Sequence, residues 1–171
     1  LKLNTVWKNK LTTNMYFQYR STQDINLRAS KSSNNNFRKT FEVSPSYTWP
    51  VAPWLSVAQV FRLYIQYQDY TYADWPGVNK DDNYNKRGNL TTTVTVKPTA
   101  RLNVTARHDH GSRFNATRSS TDVTGHDFYR RDQEQFSSRI DLEFTYKLSP
   151  WLTVDASTYR AKDTLNAFGA S

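Results

Sequence analysis

The sequence predicts an all-β fold of antiparallel strands, each with one apolar and one polar face. Three observations lead to this prediction. Apolar and polar residues alternate with a period of two through most of the chain, as in Phe136–Leu148. Aromatic residues, which favour strands, make up 15% of the chain although its mean hydropathy is only -0.80. Short and long polar connections separate the alternating segments, and no useful helical period interrupts them.

The first half of the chain contains two predicted hairpins. Their strands are residues 1–7, 11–20, 37–49 and 55–72. A short turn near residues 8–10 joins the first pair, and one near residues 50–53 joins the second, where two prolines cannot donate to a strand ladder. A long polar loop near residues 21–36 separates the hairpins. These connections predict antiparallel neighbours throughout.

The second half repeats this organisation. Its predicted strands are residues 89–97, 102–109, 135–148 and 152–162. Short turns are predicted near residues 98–99 and 149–150, each containing a proline, and long polar loops near residues 73–87 and 111–132. Residues 1–171 are therefore expected to form a single domain of about eight up-and-down strands.

Two architectures fit these strands, and the aromatic residues favour one of them. Soluble β-sandwiches have short strands, whereas strands that cross a bilayer need about 9–11 residues, with short turns at one end and long loops at the other. Tryptophan prefers the headgroup level of a membrane, where its ring is buried and its N–H stays wet. The residues predicted to lie at this level border the short turns: Trp7, Trp49, Trp54, Trp151, Tyr47 and Tyr146.

In this pattern the chain resembles the outer-membrane β-barrels of Gram-negative bacteria, a class that includes porins and transporter barrels. The resemblance covers nearly the whole chain and is carried by turns such as YKLSPWLTV (146–154) and VKPTARLNV (96–104). It implies an antiparallel transmembrane barrel in the bacterial outer membrane, with short turns in the periplasm and long loops outside. The implied function is a channel or a sleeve. The implied partners are the lipid bilayer, lipopolysaccharide, and a plug, lipoprotein or other outer-membrane protein.

The direction of the strands indicates whether this chain forms a complete barrel or part of a larger one. If the short turns are periplasmic, both chain ends lie on the extracellular side. Complete bacterial barrels resemble one another in closing with both ends in the periplasm, usually with a terminal aromatic residue, and Phe168 is not terminal. The chain is therefore expected to be part of a larger barrel, and a complete eight-strand barrel is the alternative.

Strand alternation assigns residues to the two faces of this barrel. The residues predicted to face lipid are Phe17, Val57, Phe61, Leu63, Ile65, Val94, Val104, Ile140, Leu142 and Phe144. The basic residues predicted to face the lumen are Arg20, Arg38, Arg62, Arg101, Arg107, Arg139 and Lys147. A basic excess in a pore predicts a mild preference for anions. The alternative is that these are paired, solvated wall residues, as the neighbours Arg139 and Asp141 suggest.

Other classes of protein find little support in the sequence. There is no cysteine, so no disulfide or thiolate site is possible. The net charge of +8 is spread along the strands rather than gathered in one run, so nucleic acid is not an expected partner. No phosphate loop or nucleophile motif appears, and His108 and His110 lack further ligands, so no enzyme activity, metal or cofactor is expected. The remaining alternative is a soluble or surface β-sheet module that binds polysaccharide.

Overall fold

A computed structural model describes residues 1–28, 34–71 and 81–168, without the side chain of Asp127. In this part of the chain, eight antiparallel strands follow one another in sequence order within one sheet, which confirms the predicted all-β, up-and-down arrangement. The strands are β1 (Lys2–Val6), β2 (Thr12–Asp24), β3 (Asn36–Ala52), β4 (Leu55–Tyr70), β5 (Asn83–Val96), β6 (Leu102–Thr121), β7 (Asp127–Ser149) and β8 (Leu152–Ala167).

The sheet is open at both edges. Within the described residues, β1 pairs only with β2 and β8 pairs only with β7. Each connection leads to the neighbouring strand, so the chain extends the sheet one strand at a time and does not bring β1 and β8 together. A closed eight-strand barrel is therefore wrong for this structure. A two-sheet sandwich is also wrong, because all the described strands belong to one sheet.

Short connections gather at one end of the strands, which we call the turn end. They comprise residues 7–11, 53–54, 97–101 and 150–151, at or beside the short turns placed from the sequence. In the first, the amides of Trp7 and Lys10 donate to the carbonyls of Leu11 and Trp7, both at 2.9 Å. Lys10 takes a φ of 61° there, in the left-handed region that tight turns use. The opposite end of the strands is called the loop end.

The long loop predicted near residues 111–132 is wrong. β6 continues to Thr121 and β7 begins at Asp127, which leaves residues 122–126 as the connection. Polar side chains occupy both faces here, so apolar alternation disappears while the backbone ladder continues. Asn115, for example, donates from Nδ2 to Gln133 Oε1 across the two strands at 3.2 Å.

Parts of the other two predicted loops are also strand. β2 continues to Asp24 within the predicted loop 21–36, and β5 begins at Asn83 within the predicted loop 73–87. Residues 29–33 and 72–80 of these loops lie outside the described part of the chain. The hairpins therefore extend further towards the loop end than alternation of hydropathy predicted, because ladder hydrogen bonds do not require an apolar face.

The strand register assigns every strand residue to one of two faces, because directly opposed residues point the same way. The apolar face contains the row that begins at Trp49 and continues through Val57, Val94, Ala106, Leu142 and Thr158. The polar face contains the adjacent row, which crosses all eight strands through Val6, Thr12, Thr48, Ala58, Thr93, Arg107, Asp141 and Tyr159.

The sheet has almost no interior. Ala116 is the one buried hydrophobic residue among those described, and none of their large side chains is fully buried. On the apolar face, Phe61, Ile140 and Phe144 are 41%, 48% and 44% exposed. Burial of apolar surface is the main favourable term in folding, and this single layer buries little apolar surface among its own described residues.

The tip of the β6–β7 hairpin is held by one carboxylate. Asp122 accepts hydrogen bonds from Thr124 Oγ1 at 2.7 Å and from the amides of Thr124 and His126, both at 2.9 Å. Gly125 completes the turn with a φ of 81°, which a residue with a Cβ rarely adopts. The hydrogen bond from Thr124 and that from the His126 amide hold the pKa of Asp122 below its ordinary value.

This geometry predicts that acid loosens the hairpin tip. Because the pKa of Asp122 is lower in the folded tip than in the unfolded chain, its stabilising effect is present above the unfolded value and is lost as the pH falls through the folded one. Amide chemical shifts of Thr124 and His126 should titrate together below about pH 4. In Asp122→Ala these shifts should already lie at their low-pH values and stay constant. A titration that persists in this variant would assign the change to another group.

Candidate functional site

The short turns advance along the sheet by a constant step. In the row that crosses all eight strands, each hairpin contributes two directly opposed residues. The number of residues between these two is about 5 in the first hairpin (Val6 to Thr12) and about 9 in the second (Thr48 to Ala58). It rises to about 13 and about 17 in the third and fourth hairpins. Each strand is thus displaced by about one residue relative to its neighbour. With about 3.3 Å per residue and 4.8 Å between strands, the line of turns crosses the hydrogen-bonded rows at roughly 35°.

The aromatic residues follow this oblique line. Trp7, Trp54 and Trp151 lie in short connections, and Trp49 lies near the turn end of β3. All four are exposed, Trp151 most of all at 84%, and the indole N–H of Trp7 donates to Thr13 Oγ1 at 3.1 Å. Tyr47 and Tyr146 lie on the apolar face of the neighbouring strands. The six residues predicted to lie at an interface therefore form a border along the turn end.

The apolar face carries an apolar band that is also oblique. All ten residues predicted to face lipid lie on this face. The row that begins at Phe17 continues with the apolar residues Val43 and Leu63, but it ends at a polar residue, Thr164 on β8. The row that ends at Ala156 on β8 is apolar throughout and lies close to the turn end, running through Leu55, Val96, Val104 and Phe144.

The polar face carries most of the basic residues predicted to face a lumen. Arg20, Arg38, Arg62, Arg107, Arg139 and Lys147 lie on this face. Arg101 differs from its predicted strand position, because it lies in the connection 97–101. The Thr99 hydroxyl accepts hydrogen bonds from the amides of Arg101 and Leu102, which extends this turn beyond the expected Pro98–Thr99 pair.

Four of these arginines are paired with carboxylates on the same face. Arg107 Nε lies 2.8 Å from Asp109, and Arg139 Nη2 lies 2.7 Å from Asp141. Arg62 Nε lies 3.8 Å from Glu42, and Arg38 Nη2 lies 3.9 Å from Asp24. The first two pairs join residues two apart on one strand, where alternation brings side chains to the same side. These contacts agree with the paired-wall alternative for Arg38, Arg62, Arg107 and Arg139. The excess positive charge of this face therefore belongs to other residues.

A depression of about 470 Å³ lies on the polar face, towards the loop end. Its lining includes Arg87, Asn89, Gly111, Arg113, Ser137 and Arg139. Gly111 leaves space at the bottom of the depression, because a Cβ at this position would lie 2.7 Å from Ser137 Oγ. Arg87 and Arg113 are directly opposed on β5 and β6, and neither has a carboxylate partner among the described residues. These two arginines are the strongest candidate for a binding site.

The sequence analysis missed Arg87 and Arg113, because both fell in segments predicted to be loops. A signal was present: the period-two spacing of polar-face residues continues from Arg107 and Asp109 through Gly111 to Arg113. Without apolar residues on the opposite face, this spacing could not be distinguished from a polar loop.

The described residues offer no metal centre. They contain no group of three or more His, Asp or Glu residues that could hold an ion. The rings of His108 and His110 lie 6.4 Å apart on the apolar face, and His108 Nε2 is hydrogen-bonded to Ser138 Oγ at 3.1 Å. No helix in this part of the chain is long and apolar enough to cross a membrane. Comparisons with protein families, curated proteins and solved structures found no match for the chain.

Proposed function

We propose that this chain forms part of the wall of a β-barrel in the outer membrane of a Gram-negative bacterium, where the barrel serves as a channel or encloses a partner protein. The observation that carries the proposal is the uncovered apolar face, bordered by an oblique line of turns and tryptophans. Strands of transmembrane barrels are tilted by about 35–45°, and the angle of roughly 35° in this sheet is close to that range.

In this arrangement the two faces have different solvents. The apolar face contacts lipid, and the exposed aromatic residues of the turn end lie at the periplasmic headgroup level. Beyond the apolar band, Lys86, Arg160 and Lys162 lie on the same face towards the loop end. Cations at that level would face the phosphates of lipopolysaccharide, which supports this lipid as a partner. The polar face lines the lumen, where a plug or lipoprotein could dock.

Closure of such a barrel requires partners for β1 and β8. Their outer backbone groups have none among the described residues, and unpaired backbone groups are costly in hydrocarbon. We infer that additional strands, from this polypeptide or another copy, continue the sheet at both edges. A lumen lined by the polar face would then carry the positive charge of Arg87 and Arg113, which favours anionic solutes.

Two measurements on the full-length chain test the membrane assignment. The first is mobility on a gel: the folded barrel should migrate faster than the heated sample and should require detergent or lipid to remain dispersed. The second is quenching of tryptophan fluorescence by brominated lipids, in a Trp75→Phe variant, which leaves the four tryptophans of the turn end as those of residues 1–171. Bromines near the headgroups should quench about twofold more than bromines near the bilayer centre.

The same measurements can contradict the proposal. Trp7→Phe, Trp49→Phe, Trp54→Phe and Trp151→Phe, each added to Trp75→Phe, should remove comparable shares of the headgroup-level quenching. A protein that stays monodisperse in plain buffer, with tryptophans that brominated lipids do not quench, would rule out a membrane barrel. Equal quenching at all depths would place the tryptophans elsewhere than at an interface.

A further inference from the structure

The polar face brings two arginines together without a counter-charge. Arg87 on β5 is the direct cross-strand partner of Arg113 on β6, and both side chains are exposed. Directly opposed like charges destabilise a sheet. Within the described residues, neither guanidinium has a carboxylate within 4 Å. An anion held between them would replace this repulsion by two attractive contacts.

Neighbouring side chains hold Arg87 in place. Its Nε donates to Asn85 Oδ1 at 3.1 Å, and its guanidinium carbon lies 5.8 Å from the centre of the Tyr64 ring. An arginine fixed through Nε and one ring contact keeps its terminal N–H groups available to a ligand. Gln135, the partner of Arg113 on β7, adds an amide to the same row.

The acidic residues that line the depression leave its charge positive. Asp109 is engaged by Arg107 at 2.8 Å and accepts a hydrogen bond from the Thr91 hydroxyl, and the charge of Arg139 is balanced by Asp141. Asp163 lies on β8, two strands away from Arg113. The floor of the depression is formed by Gly111, Asn89 and Ser137. Asn89 offers a side-chain amide and Ser137 a hydroxyl, and Gly111 has no side chain.

We propose that Arg87 and Arg113 form a binding site for the oxyanion group, carboxylate or phosphate, of a small acidic solute. Guanidinium groups bind such anions through paired, charge-assisted hydrogen bonds, and the depression of about 470 Å³ leaves room for a molecule of sugar size. This inference rests on the proposed function for its biological setting, because the polar face is where a solute would pass. The binding itself requires neither a pore nor a membrane.

The test measures binding to the full-length chain in detergent micelles at constant ionic strength. The probes are inorganic phosphate, glucuronate, and glucose as the uncharged counterpart. We expect phosphate, glucuronate or both to bind and to raise the melting temperature, and glucose to do neither. Tighter binding of phosphate assigns the oxyanion to an inorganic source, and tighter binding of glucuronate assigns it to a sugar acid.

Variants identify the site. Arg87→Gln combined with Arg113→Gln should weaken anion binding at least about tenfold, since two charge-assisted contacts are lost. In anion-free buffer this double variant should melt no lower than the parent, because the repulsion is gone. The control combines Arg20→Gln with Lys147→Gln, which removes two charges from the same face outside the depression, and should bind like the parent.

Three results would overturn the proposal: neither anion binds, the double variant binds as tightly as the parent, or the control loses as much affinity as the double variant. Channel activity is measured separately. Anion binding without conductance in lipid would contradict the proposed channel and leave the site intact, whereas conductance without binding would contradict the site alone.

Discussion

Leu142→Arg is expected, under the proposed membrane-barrel function, to destabilise the folded protein in a lipid bilayer by about 2–4 kcal/mol, the cost of a basic side chain near the bilayer midplane on the outside of a barrel. Leu142 lies on the apolar face between Ala106 and Thr158 and is well separated from the turn at Pro150. At about 3.3 Å per residue, corrected for the tilt, the side chain lies near the middle of the apolar band. Urea titration in lipid vesicles, with the folded fraction read from gel mobility, measures the loss.

Thr145→Arg provides the matched control. Thr145 lies on the same strand but on the polar face, opposite Asn103 and Asp155, so the new charge enters water near a carboxylate. This substitution should change the free energy of unfolding by less than about 1 kcal/mol. If Leu142→Arg were tolerated as well as Thr145→Arg, the apolar face would not contact hydrocarbon. A loss that is larger for Thr145→Arg would reverse the assignment of the two faces.

Asp82→Asn is expected to lower the free energy of unfolding by about 2–3 kcal/mol, because it removes a carboxylate charge that faces the Arg118 guanidinium in a shielded position. Arg118 Nε lies 3.1 Å from Asp82 Oδ2, and the two side chains are only 18% and 9% exposed. Asp82 Oδ1 also accepts a hydrogen bond from the Tyr70 amide at 2.6 Å, which ties β4 to the segment entering β5. Asparagine retains an acceptor for Tyr70, so the variant isolates the loss of charge.

Asp141→Asn is the corresponding control on a pair whose basic member is exposed. Asp141 is 18% exposed, but its partner Arg139, at the similar distance of 2.7 Å, is 53% exposed, so solvent screens this attraction more than that of Arg118 and Asp82. The expected loss of unfolding free energy is smaller than that for Asp82→Asn, measured by the same denaturant titration. Comparable losses for the two variants would indicate that shielding at Asp82 has no energetic consequence. As a further check, Arg118→Gln should reproduce the loss of unfolding free energy seen for Asp82→Asn.

The assignment of residues to the apolar face illustrates what could be predicted. Phe61, Leu63 and Leu142 occupy the face that alternation predicted, because an extended backbone sends successive side chains to opposite sides whatever the partners are. Arg87 and Arg113 were missed because both faces of their segments are polar, and hydropathy then carries no period. The pair Asp82–Arg118 could not be predicted either, since it joins β6 to the segment before β5 through contacts that depend on register.

The sequence by itself determined the fold class, the two unlike faces of each strand and the short turns with their tryptophans. Only the tertiary structure decided how far the strands extend, that the sheet stays open, and that the turns form an oblique line. The reason is physical. Alternation is a local property of one extended backbone, whereas register and stagger are set by many cross-strand contacts at once, and a slip of one residue would exchange the faces.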